Sequence, residues 1–90
     1  MKIQPFGDRV VIKLLEQEDV VGGLVISTPK EKRNRGVVVA VGDGEEVSKI
    51  SEGDTLIFQL GTGLNYSSEK DDYKVLNVRD IVGKVIKGEE

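Results

Sequence analysis

Between two glycines, the run Gly36-Val37-Val38-Val39-Ala40-Val41-Gly42 is apolar at every position. β-branched side chains lose freedom in a helix and fit a pleated sheet, so the run predicts a strand. Successive side chains of a strand point to opposite faces, and here both faces are apolar. Each then needs cover, from a closed barrel or from a core on one side and a second subunit on the other. The chain that must provide this cover has only 90 residues, and short chains bury a smaller share of their surface than typical domains. Association with copies of itself is the natural remedy.

The rest of the chain repeats the β signature. Arg9 to Leu15 predicts a strand with Val10, Ile12 and Leu14 on one face, and Thr55 to Leu60 another with Leu56, Phe58 and Leu60 aligned. Tyr73 to Val78 is a further strand, and Val82 to Ile86 a short last one after an Arg79-Asp80 turn. Turn chemistry separates them at Gly42-Asp43-Gly44, Glu52-Gly53-Asp54, Gly61-Thr62-Gly63 and Glu69 to Asp72. Almost no alanine, no helical period and no internal repeat interrupt the pattern. Short strands at close spacing imply a barrel or sandwich rather than βαβ units. The expectation is an all-β chain, residues 1–90 forming a single small, irregular, mostly antiparallel β-barrel.

Composition removes most chemistry. With no cysteine and no histidine, disulfides, thiolate or imidazole metal sites and histidine acid–base catalysis are excluded. A net charge of −3 argues against a dedicated nucleic-acid binder. The apolar runs are too short to span a bilayer, and no signal-peptide pattern follows Lys2, so a cytoplasmic protein without membrane contact is expected. Gly42-Asp43-Gly44 and Gly61-Thr62-Gly63 match G-x-G but lack the third glycine and the following helix of a nucleotide loop, which leaves tight turns. Glu69, Asp71 and Asp72 lack the spacing of a calcium loop. Paired carboxylates for glycoside chemistry would want flanking aromatics, and the aromatics are only Phe6, Phe58, Tyr66 and Tyr73. The basic run Lys30 to Arg35 is interrupted by Glu31 and has no aromatic partner for base stacking, so it reads as a solvated flank. No enzyme is expected and no cofactor.

One stretch breaks the rhythm. From Glu16 to Arg35 the chain has charged flanks, Pro29 and, in its middle, the apolar pentad Gly22-Gly23-Leu24-Val25-Ile26. Twenty residues between strands is long for a compact domain, and such loops tend to be functional. Two readings stay open on the residues alone. Val20-Val21 and Leu24-Val25-Ile26 around Gly-Gly would make a tight hairpin, although a short hairpin alone is marginal in water. Alternatively the pentad is an apolar hook on a flexible tether, and a bound hook could itself be a hairpin.

Five segments, taken in order, resemble the co-chaperonins of the GroES type, the ten-kilodalton chaperonins. Pro5-Phe6-Gly7-Asp8-Arg9-Val10-Val11-Ile12-Lys13 is similar to that family's opening, and Gly22-Gly23-Leu24-Val25-Ile26 to its loop. Arg35 to Gly42, Gly53-Asp54-Thr55-Leu56-Ile57-Phe58 and Asp80-Ile81-Val82 complete the match. The resemblance implies a ring of seven copies, the first strand of one subunit (Met1 to Phe6) against the last of its neighbour (Val82 to Ile86). Ile3, Pro5, Val82 and Val85 are then interface residues. It also implies that a mobile loop, about 16–35, docks Gly22, Gly23, Leu24, Val25 and Ile26 into a GroEL-type chaperonin and closes a chamber around non-native clients. ATP would be bound by that partner. Two departures stand out: the triplet is Leu-Val-Ile rather than Ile-Val-Leu, and the segment 43–54 is short for a roof hairpin, as in some bacteriophage co-chaperonins. A shortened roof hairpin and a thinner or open dome are the expectation. A small barrel binding single-stranded nucleic acid is the alternative function. An alcohol-dehydrogenase-like barrel is remote because its Cys and His ligands are missing.

Overall fold

A computed structural model describes residues 3–15, 18–27, 33–68 and 71–86. Its strands are β1 (Arg9–Leu14), β2 (Glu18–Val21), β3 (Leu24–Ser27), β4 (Arg35–Val41), β5 (Thr55–Phe58), β6 (Leu64–Ser67), β7 (Asp72–Asn77) and β8 (Ile81–Lys84). Six of them form one antiparallel sheet in the order β6-β7-β1-β4-β5-β8, and β2 pairs only with β3. This is the all-β barrel that the strand pattern predicts.

β1 is the middle of the structure. It pairs antiparallel with β4 on one side and β7 on the other. Its alternate residues Val10, Ile12 and Leu14 enter a core with Val38, Leu56, Phe58 and Leu76. The sheet wraps around this core, helped by irregularities between Val11 and Ile12 and between Ile57 and Phe58; such bulges sharpen local twist. In β4, Gly36, Val38 and Ala40 are buried while Val37, Val39 and Val41 are only half-buried. One face of the all-apolar strand is thus fully covered within the chain, and the other is not.

Four details differ from the sequence-based expectation. β5 ends at Phe58, and Leu60 stands half-exposed in a turn instead of aligned with Leu56 and Phe58. That turn is closed by the Thr62 hydroxyl donating to the Gln59 carbonyl at 2.6 Å and by Gly61 at φ 82°. β6 is a four-residue alternation, Leu64 and Tyr66 against Asn65 and Ser67, absent from the strands expected above, and it is held as a strand by its ladder with β7, from Leu64 opposite Val75 to Ser67 opposite Asp72. β8 begins at Ile81 and ends at Lys84, so Val85 and Ile86 lie beyond it.

The fourth difference is the roof. Residues 43–54 form no hairpin; they carry a single 3-10 turn, Glu46–Lys49, that drops Val47 into the core. The cause is Asp8. Its Oδ1 accepts the Glu46 N–H at 3.0 Å and the Val47 N–H at 3.4 Å, filling the donors that a helical turn leaves open at its start. The neighbouring backbone is packed equally closely. Gly44 N–H donates to the Gly7 carbonyl at 3.0 Å and Gly42 N–H to the Arg9 carbonyl at 2.9 Å. A Cβ on Gly42 would collide with the Gly7 carbonyl oxygen, and one on Gly44 with the Asp8 carboxylate.

One charged residue faces the core. Lys74, only 7% exposed, places its ammonium 4.8 Å from the centroid of the Phe58 ring. Burial pushes its pKa below the ordinary lysine value of 10.5. The folded chain therefore holds that proton less tightly than the unfolded chain, so this residue adds stability as pH climbs through the window up to 10.5.

Two outcomes are expected. Gly42→Ala destabilises the fold by about 1–3 kcal/mol, the usual range for overpacking, measured by urea unfolding. In thermal melts at rising pH, wild type gains on Lys74→Met, which keeps the stem and removes the titration, as pH approaches the ordinary lysine value of 10.5 from below. A constant difference between the two would contradict the burial argument.

Candidate functional site

The hairpin β2–β3 is the feature that the barrel does not explain. Its register runs Glu18–Ser27, Asp19–Ile26, Val20–Val25, Val21–Leu24, leaving Gly22-Gly23 as a two-residue turn. Both glycines have positive φ, 59° and 86°, the signature of a type I′ turn, whose twist matches that of the flanking strands. Any side chain at these positions would meet open space but a strained backbone. The two readings of the pentad therefore coincide: the segment is a hairpin, and it is one that displays apolar side chains. Leu24 is 69% exposed and Val25 63% exposed. No strand of the main sheet pairs with either arm.

Such a tip has nothing with which to do chemistry, and much with which to bind. Two large aliphatic side chains in water each offer about 1.5–3 kcal/mol on full burial. Among the described residues no group of three or more Asp, Glu, His or Cys could hold a metal ion. Asp71 is engaged by Lys13 at 3.4 Å, and Asp72 accepts from the Ser67 hydroxyl at 2.9 Å; Glu69 lies outside the described residues. Residues 30–32 of the basic run also lie outside them. No described helix is long and apolar enough to cross a membrane.

The four expected interface residues fall in two places. Ile3 is half-buried and Pro5 fully buried, on a segment that joins no sheet and is held by the Gln4 amide donating to the Val41 carbonyl at 2.9 Å. Val82 and Val85 are exposed at the other end of the sheet order, on and just after the edge strand β8. Two features escape sequence reading. Phe6 is 77% exposed, and a cavity of about 390 Å³ opens between the 3-10 turn and β8, floored by Ile50, Leu56, Val78, Ile81 and Gly83. The Pro-Phe-Gly context of Phe6 was the only available signal; the cavity depends on the roof turn, which no local pattern announces.

The fold and tip together define a small β-barrel with a separate hairpin that leaves Leu24 and Val25 in water. Comparison with known proteins makes the class specific. The family model for the chaperonin 10 Kd subunit matches residues 2–85. A co-chaperonin GroES of Rubrobacter xylanophilus is 41% identical over 87 residues, covering 94% of this chain and 98% of its own. That of Lactobacillus acidophilus is 38% identical over 89 residues (89% and 95% covered), and that of Treponema denticola 38% over 87 (94% and 99% covered). The chain belongs to the chaperonin 10 Kd subunit family and is a co-chaperone, not an enzyme.

Gly23→Val is expected to weaken the hairpin by about 1–2 kcal/mol through left-handed strain while leaving the barrel's melting temperature within a degree or two. Cross-strand amide contacts between Val20 and Val25, followed by NMR, report the first effect and calorimetry the second.

Proposed function

We propose that this co-chaperone assembles as a ring, of seven copies by family resemblance, and caps an ATP-bound GroEL-type chaperonin through the tips of its hairpins. The observation that carries the reading is the exposed Leu24-Val25 pair on a tight, independent hairpin. Gly22 and Gly23 form its turn, and Leu24, Val25 and Ile26 are the docking triplet. The tether expected over about 16–35 falls partly outside the described residues, at 16–17 and 28–32.

The energetics favour many weak contacts over one strong one. Ordering a flexible segment on binding consumes on the order of 2–5 kcal/mol, close to what Leu24 and Val25 return on burial. One hairpin binds weakly, whereas several on one rigid ring bind tightly through effective concentration. They also release together when the partner changes shape. Nucleotide chemistry belongs to the partner, and this chain needs no cofactor of its own. The chamber so closed holds non-native client chains, in the cytoplasm. With residues 43–54 reduced to a 3-10 turn, the dome over that chamber is thin or open.

Ring contacts follow from the two sets of residues. The segment carrying Ile3 and Pro5 of one copy meets β8 of the next, where Val82 and Val85 stand exposed. The alternative, a binder of single-stranded nucleic acid, has little support. Tyr66 and Tyr73 stack on each other, 5.2 Å between centroids and 14° apart, and the nearby Lys13 is paired with Asp71.

Val25→Asp tests the docking role. Ring mass by native mass spectrometry stays that of wild type, while chaperonin binding in ATP falls roughly 100-fold or more and refolding assistance is lost. Undiminished refolding by this variant would sink the assignment of the tip.

A further inference from the structure

Among the large apolar side chains that stand in water, two have no task so far: Leu60, 51% exposed, and Leu64, 68% exposed. Leu24 and Val25 belong to the hairpin tip, and Phe6, Val82, Val85 and Ile86 lie on the two segments where copies are proposed to meet. Leu60 and Leu64 flank the turn Gly61-Thr62-Gly63 that leads into β6. That turn is fastened. The Thr62 hydroxyl donates to the Gln59 carbonyl at 2.6 Å, and a Cβ on Gly63 would press on the Leu76 side chain and the Val75 carbonyl oxygen. The two leucines are therefore held in water by a turn packed against β7.

The strand they introduce is an edge. β7 lies on one side of β6, and no described strand lies on the other. Sheet edges are normally guarded by charge or proline, because their open backbone groups template further pairing. Here neither guard is present: from Gln59 to Ser68 there is no charged residue and no proline, in a sequence that is 32% charged. The opposite edge differs, since β8 ends in Lys84, ion-paired with Asp54 at 3.7 Å. On the face of the sheet away from the core, Leu64 stands opposite Val75 and Tyr66 opposite Tyr73. The two tyrosine rings are stacked, 5.2 Å between centroids. An added strand would find cross-strand apolar and aromatic partners there.

Size and neutrality select the occupant. Two leucines and a four-residue edge offer far less than the roughly 800 Å² per partner of a stable interface, so a lasting contact with a second copy does not fit. The uncharged stretch gives an acidic or basic peptide nothing to pair with. What matches is an extended, uncharged, apolar segment, held by main-chain hydrogen bonds that are indifferent to sequence. Incompletely folded chains expose such segments.

We infer that the open edge of β6, with Leu60 and Leu64, binds extended apolar segments of non-native polypeptide by strand addition. This rests on the reading above that the co-chaperone encloses non-native clients, and it gives the barrel a contact of its own with them. One such contact is weak and exchanges readily, and several copies on one assembly multiply it.

The probe is a fluorescein-labelled peptide of about eight residues, alternating valine and threonine, a length that covers the four-residue edge. Its control is the same peptide N-methylated at alternate residues, which keeps the side chains and loses the backbone donors of one edge. Fluorescence anisotropy with the full-length protein should show binding of the first and not of the second. Amide exchange followed by mass spectrometry should slow at residues 64–67. Leu64→Lys, which guards the edge as natural edges are guarded, is expected to weaken peptide binding roughly tenfold with an unchanged circular dichroism spectrum and intact chaperonin binding. Val25→Asp should do the reverse, holding the peptide as wild type does and losing the chaperonin. Absence of peptide binding, binding that survives both Leu64→Lys and N-methylation, or slowed exchange at β8 or the hairpin instead of β6 overturns the inference. So does a Leu64-dependent doubling of the assembly mass in native mass spectrometry, which assigns the edge to a second copy. If wild type holds the peptide at β6 but does not bind the chaperonin, the capping reading falls and the strand-addition site stands.

Discussion

The carboxylate of Asp8 is the contact on which the arrangement of this barrel depends. Two backbone N–H groups of the roof turn end on its Oδ1, and its own carbonyl accepts the Val78 N–H at 2.9 Å. One residue at the entry of the central strand thus joins the segment before β5 to the segment before β8. The glycines at 42 and 44 allow this, because a Cβ on either would strike the Gly7–Asp8 backbone or side chain. Removing the acceptor would take away the cap of the turn, a loss of about 0.5–2 kcal/mol, with the exposed Glu46 amide left to water and the part-buried Val47 amide less well served. Val47 would then lose the turn that carries it into the core.

From this clamp follows a division of labour. The barrel's cohesion lies in alternate residues of β1, β4, β5 and β7, packed where neither water nor a partner reaches. Its large exposed apolar side chains lie outside that core, at the hairpin tip, at Phe6 and along the edge of β8. Because β2 and β3 pair only with each other, the tip can engage and release without disturbing a hydrogen bond of the main ladder. Lys74 is the exception to a clean core, a charge kept near the aromatic face of Phe58, where the ring's negative face partly offsets desolvation.

The hairpin tip stands out on physical grounds. Gly22 and Gly23 matter physically because both sit at positive φ. Leu24 and Val25 matter because they remain in water when ten other hydrophobic residues, from Val10 to Leu76, do not. A permutation of Ile, Val and Leu among such positions preserves volume and burial, so the Leu-Val-Ile order adjusts fit more than it alters function.

Strand identity was legible in Val10-Ile12-Leu14 and Leu56-Phe58, because burial on one face of a sheet has a period of two, and in the β4 run through its unbroken β-branched apolar residues. The turn at Gly22-Gly23 was legible as one of two readings, since glycine tolerates two consecutive left-handed positions at no strain, and the register of β2 with β3 decided for the hairpin. β6 was not, because the alternation in Leu64-Asn65-Tyr66-Ser67 is only four residues long, with Leu64 exposed, and the ladder with β7 is what makes it a strand. Nor was the roof turn, since Glu46 to Lys49 is helical through a carboxylate 38 residues away in sequence. Residue chemistry and local period therefore determined the fold class, the turn and the absence of thiol and imidazole catalysis. Only the tertiary structure decided which apolar side chains stay in water, because exposure is set by what long-range contacts bring alongside, and no local pattern encodes that.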